Sequence, residues 1–271
     1  MPEEVPLART SAQRSNVWFA LEQSRALFEF WQFTVARHML RLAPRGNGRP
    51  VLVLPGFLSD DDSTVVLRHY LHEQGHKALA WGLGINLGPT EAIMDGVERR
   101  LDQVADAHGE PVCLVGVSLG GLYARDLARR RPEAVRQVVT LGSPFRIERT
   151  SLNSMGALFD ALSPGFVNAS RFSVWTMPRE PLPVPATSIY TRSDGIVAWE
   201  ACLEGDWQQA ENIEVVGSHS GLSHLPASLY AVADRLAWST DAWREFTAPI
   251  AMRGFYPPAR RAAAQGLAGD S

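Results

Sequence analysis

The chain has 271 residues, 45% of them hydrophobic and 20% charged, with a formal net charge of -3. That balance suits one large globular core and excludes both a disordered polyelectrolyte and a basic face for nucleic acid. The two cysteines, Cys113 and Cys202, lie far apart, so neither a disulfide framework nor a metal cluster is expected, and a reducing, cytoplasmic setting is. The opening Met1-Pro-Glu-Glu-Val-Pro6 carries acid where a secretory leader carries base.

The first predicted element is a helix over about residues 15 to 42. Leu21, Phe28, Val35 and Met39 share one stripe, while Glu22, Arg25, Glu29 and Arg37 interrupt any membrane span. The stripe is expected to pack on the body of the protein. The aromatic load (Trp18, Phe19, Phe28, Phe30, Trp31, Phe33) also suits a homodimer contact or a membrane surface.

After the Arg45-Gly-Asn-Gly-Arg49 turn the pattern changes. A strand is expected at 50–54, a helix over 63–74, a strand at 77–81, a helix over 90–108, a strand at 112–117, a helix over 119–130 and a strand at 137–141. Continuous apolar strands alternating with helices specify an α/β fold, a mostly parallel, doubly wound sheet covered on both faces. Between Ser143 and Pro185 the rhythm breaks. Leu152, Met155, Phe159 and Leu162 keep helical spacing, and Pro178, Pro181, Pro183 and Pro185 hold an extended return path. Strands at 186–191 and 212–216 and a helix over 223–238 then complete the core. The expected organisation is a helical extension (1–45), a core (46–145 and 186–250), a cap insertion (146–185) and a tail (251–271).

In a doubly wound sheet the reactive groups collect where strands end at their carboxyl side. The strand ending at Val117 delivers Ser118 within Gly116-Val-Ser-Leu-Gly120, the strand ending near Thr191 delivers Asp194, and the strand ending at Val216 delivers His219. A serine hydroxyl is a poor nucleophile until an imidazole takes its proton. The imidazole needs an acid to fix its tautomer and stabilise its charged form. Two backbone amides must also hold the oxyanion, and the candidates are those of Leu119, which opens a helix, and Phe57, in the loop after the first strand.

Taken together, the motifs Pro55-Gly-Phe57, Gly116-Val-Ser-Leu-Gly120, Ser193-Asp-Gly-Ile-Val197 and Ser218-His-Ser-Gly-Leu222 resemble those of bacterial serine esterases and lipases of the α/β-hydrolase superfamily, over about residues 50 to 238. The order serine, acid, histidine matches that family. The resemblance implies Ser118 as nucleophile, Asp194 as triad acid and His219 as base. It departs from the pattern at Pro55, where many relatives carry histidine before the glycine, and in the helical segment that precedes the first core strand.

The expected activity is hydrolysis of carboxylic esters through an acyl-serine intermediate. Leu58 and the cap residues Leu152, Phe159 and Trp175 are candidates to line a site for a hydrophobic acyl group. The same triad also fits an acyltransferase, and the fold alone fits a catalytically silent binding protein. No cofactor, metal or nucleic-acid partner is expected. Among the other polar residues, His224 reads as part of a helix start, His69, His72 and His76 as solvated, and Asp60-Asp-Asp62 as a helix cap. The glycine-rich loop 82–89 follows a strand and is a further candidate to line the site.

Overall fold

The computed structural model describes residues 8–146, 172, 177–178, 180–238 and 243–257. Its elements in chain order are helix α1 (Ala8–Leu40), strand β1 (Pro50–Leu54), a 3-10 turn (Asp61–Thr64), α2 (Val65–Glu73), β2 (Lys77–Ala80), α3 (Glu91–His108), β3 (Val112–Val117), α4 (Leu119–Arg130), β4 (Val135–Leu141), β5 (Ala186–Tyr190), β6 (Ala210–Glu214) and α5 (Pro226–Ala237). The six strands form one sheet in the order β2-β1-β3-β4-β5-β6, and every neighbouring pair is parallel. The strand rhythm expected from the sequence is therefore correct in class. The cap residues Leu152, Phe159 and Trp175 lie outside the described residues.

Alternation along each strand builds two cores. Val51, Val53, Cys113, Val115, Val139 and Ile213 face one layer, which contains α2, α5 and the end of α1. Leu52, Leu54, Leu114 and Val138 face the other, which contains α3 and α4. Burial on both faces explains why these strands read as unbroken apolar runs. Local signals set the helix ends: the Thr90 hydroxyl accepts the Ile93 amide at 3.2 Å, and Gly109 closes α3 in the left-handed conformation at φ 67°.

The structure corrects several expectations. Most of the apolar stripe of α1 does not pack inward: Leu21, Phe28 and Val35 are 44%, 58% and 61% exposed, whereas Glu22 and Glu29 are buried and only Met39, at the end of the stripe, packs against the core. His76 is not solvated but buried against Gly46. Strand β6 ends at Glu214, two residues before the expected Val216, so His219 sits in a loop and not directly on a strand end. Asp60 does cap the 3-10 turn, but its neighbour Asp61 reaches further and accepts the Trp81 and Gly82 amides at 3.0 and 3.1 Å. Among the described residues no helix is long and apolar enough to cross a membrane.

Candidate active site

The strand order reverses direction beside β1, since β2 lies on one side of it and β3 on the other. Loops leaving the carboxyl ends of β1 and β3 therefore splay apart and open a crevice. Ser118 leaves β3 at that point with φ 50° and ψ -118°, a conformation that costs a residue with a side chain on the order of 1–3 kcal/mol. Its amide donates to Leu141 O at 2.8 Å and its carbonyl accepts the Gly121 amide at 3.0 Å. The surrounding glycines have a defined task. A Cβ on Gly120 would collide with Leu54 O, and one on Gly121 with the Ser143 hydroxyl. They let α4 press onto the ends of β1 and β4, which locks the strained corner in place.

Asp194 answers two demands with its two oxygens. Oδ1 accepts the amides of Ile196 and Val197, both at 2.8 Å. Oδ2 lies 2.7 Å from His219 Nδ1. The turn-forming contacts of an Asp-Gly pair and a carboxylate–imidazole contact therefore coexist here. Both members are buried. Burial by itself lowers the His219 pKa, but the charge of Asp194, its hydrogen bond and the charge of Glu22 together hold it above the ordinary histidine value. With Nδ1–H given to Asp194, the other ring nitrogen is the basic one. The end of β4 ties this pair to the serine: Leu141 O receives the Ser118 amide, and a Cβ on the next residue, Gly142, would lie 3.0 Å from His219 Nδ1.

The loop after β1 passes beside the serine. A Cβ on Gly56 would stand 3.4 Å from Ser118 Cβ, which places Phe57 next to the elbow, while Leu119 opens α4 on its other side. Leu58 is more than half exposed, adopts φ 56° and donates its amide to Asn86 O at 2.8 Å. Asn86 is the residue that sequence reasoning missed. It is fully buried; its side chain donates to Pro55 O at 3.0 Å and accepts the Tyr123 hydroxyl at 3.0 Å, and its amide donates to Ser59 O at 2.8 Å. The glycine-rich loop thus holds the β1 loop in shape. An asparagine within a glycine-rich loop carried that signal weakly, because asparagine is common in solvent-facing turns.

His224 is turned away from this site. Its Nε2 lies 2.9 Å from Ala26 O, and its ring packs edge-on to Phe30. Among the described residues no group of three histidine, cysteine, aspartate or glutamate side chains is arranged to hold a metal.

The sequence matches no protein-family model and no curated protein. Solved structures do match in shape. A monoacylglycerol lipase of Paleococcus ferrophilus is 17% identical over 70% of this chain and 96% of its own, with a TM-score of 0.53. Lipase B of Aspergillus fumigatus is 16% identical over 71% of this chain and 53% of its own, at 0.54. A hydrolase of the alpha/beta superfamily from Oenococcus oeni is 15% identical over 73% of this chain and 94% of its own, at 0.51. The fold is that of the α/β-hydrolases.

Helix α1 precedes the first strand of this α/β-hydrolase fold. Several of its charged side chains face the body, Arg25 and Glu29 among them. Arg25 donates to Ser193 O and Ser193 Oγ, both at 2.8 Å, and to Gly217 O at 2.5 Å. Glu29 accepts the Ser218 amide at 2.7 Å and its hydroxyl at 2.5 Å. Burial pushes the Glu29 carboxyl up, against the pull of Ser218 and Arg25. The loops that carry Asp194 and His219 are therefore held from behind by one helix.

Proposed function

We propose that the chain is a serine hydrolase that cleaves carboxylic esters with hydrophobic acyl groups. The observation that carries this reading is the 2.7 Å pairing of His219 Nδ1 with buried Asp194, set against the same β4 corner that receives the Ser118 amide. In the first half-reaction the Ser118 hydroxyl attacks the ester carbonyl as His219 Nε2 takes its proton. Asp194 stabilises the imidazolium that results. The negative oxygen of the tetrahedral intermediate is held by the amides of Phe57 and Leu119, and each such donor is worth about 3 kcal/mol of barrier. Collapse breaks the bond to the alkoxy oxygen, which leaves as alcohol with the proton from His219. Water then repeats the sequence on the acyl-Ser118 ester and releases the acid.

Support for an apolar substrate comes from the exposed Leu58 in the loop after β1 and from the apolar composition of residues 152–175. A fluorophosphonate probe and a chain-length series of nitrophenyl esters, each run beside Ser118→Ala, test the reading. Labelling at Ser118 and a rate that rises with acyl length are expected. An unlabelled, inactive wild-type protein would leave a silent binding protein as the better account.

A further inference from the structure

We infer that Glu22, on α1, is a positioning residue for His219: its buried carboxylate fastens the acid loop to the histidine loop and adds a second fixed negative charge beside the imidazole. This rests on the esterase reading of the Ser118 site. Glu22 is 2% exposed. Its Oε1 accepts the amide of Gly195 at 2.7 Å and that of His219 at 3.3 Å, and its Oε2 accepts the amide of Ser220 at 3.3 Å. Gly195 directly follows the acid, and Ser220 directly follows the base. One side chain thus joins the backbones of both triad loops, which come from different strands.

The orientation of α1 argues that this joining is its purpose. A helix that only covered the core would turn Leu21, Phe28 and Val35 inward and leave its charges in water. Here those apolar residues are exposed and Glu22 and Glu29 are buried, an arrangement that costs desolvation energy unless each carboxylate is well supplied with donors. The backbone amides of the triad loops supply them. Close approach is built in as well, because a Cβ on Gly195 would lie 2.5 Å from Phe19 N and Trp18 C. The glycine after the triad acid therefore admits the helix as well as completing the turn.

The charge acts on the chemistry through the imidazolium formed as Ser118 is deprotonated. The titratable and charged groups around His219 are Asp194 on the acid loop and Glu22, Arg25 and Glu29 on α1; Arg25 lies 3.9 Å from Glu22. The Cys202 thiol near Asp194 is pushed well above its usual range by burial and stays neutral. His224 is held away on Ala26 O. Both Asp194 and Glu22 favour the charged ring against the burial that opposes it.

The test compares full-length wild type, Glu22→Gln and Glu22→Asp in the pH dependence of kcat/KM for a nitrophenyl ester, with fluorophosphonate labelling of each. Glu22→Gln should lower kcat between about tenfold and a hundredfold with KM changed less than about twofold. The acid limb of its profile, which reports the free His219, should move to lower pH. Glu22→Asp keeps the charge on a shorter arm, so it should leave the acid limb at the wild-type position with an intermediate rate. A Glu22→Gln limb that superimposes on wild type overturns the inference. So does Glu22→Asp at full wild-type rate, which keeps the question decidable if Glu22→Gln does not fold. Wild-type protein that takes no probe at Ser118 would instead sink the esterase reading itself.

Discussion

Gly142 lies against the ring of His219. A Cβ at this position would stand 3.0 Å from Nδ1, 3.2 Å from Cε1 and 2.8 Å from Leu222 Cδ1, and the residue adopts φ 58°. The end of β4 thus acts as a seat for the imidazole, and only glycine fits it without displacing the ring. Gly142→Ala incurs about 1–2 kcal/mol of left-handed strain and moves the ring by a few tenths of an ångström or more. The expected outcome is a drop in kcat of about tenfold to a hundredfold beside a fall in Tm of only a few degrees. Ester kinetics and a thermal melt of the same preparation check it, and wild-type kinetics would show that the seat is not needed.

If Ser118 and His219 act on one proton, as the proposed mechanism requires, their substitutions should not add. Ser118→Ala and His219→Ala should each lower turnover by at least about four powers of ten, and the double variant should sit close to the worse of the two. His224→Ala, which loses the bond to Ala26 O and the Phe30 contact, should stay within about tenfold of wild type. Additive losses in the double variant, or a His224→Ala enzyme as poor as His219→Ala, would reassign the base.

The sheet was legible because each core strand is buried on both faces and therefore spells itself as an apolar run. The strained corner at Ser118 was legible because it stands between such a run and a helix that opens on two glycines. The facing of α1 was not legible. Its apolar stripe and its acids are spaced alike along the helix, and periodicity cannot say which side meets the body when the body offers free backbone amides in place of apolar surface. Glu22 and Glu29 read as interruptions of a stripe, and their partners Gly195, Ser218 and Ser220 lie more than 170 residues away in the chain. The fate of His76 was hidden for the same reason, since its burial depends on the 43–49 turn folding back over the end of α2.

Asn86 should be needed for both stability and rate. Asn86→Ala leaves Pro55 O and the Tyr123 hydroxyl without the partner they have in the native protein, and each buried orphan costs about 1–3 kcal/mol. The loop that carries Phe57 then loses its support. A lowered denaturant midpoint together with a kcat loss larger than the KM change is expected. A variant destabilised by this amount but fully active at low temperature would show that the β1 loop keeps its shape without Asn86.

His76 gives the fold a specific acid sensitivity. The residue is 3% exposed and neither ring nitrogen finds a hydrogen-bond partner among the described residues. Burial, with the positive charge of Arg49 added, lowers its pKa from 6.5 to about 4. A depressed value means that the folded state refuses a proton which the unfolded chain accepts. The contribution of neutral His76 is therefore fully present above pH 6.5, declines as pH falls through the window from 6.5 to about 4, and is gone below it. The size follows from the shift and is about 3 kcal/mol. His219 pulls the other way, since its raised value favours the folded state at low pH, so the comparison must be made between proteins that share it. Denaturant unfolding of wild type and His76→Phe at pH 7 and pH 4 provides this: wild type should lose about 3 kcal/mol more than the variant over that interval. Equal losses in the two proteins would mean that the ring takes up its proton in the folded state without penalty.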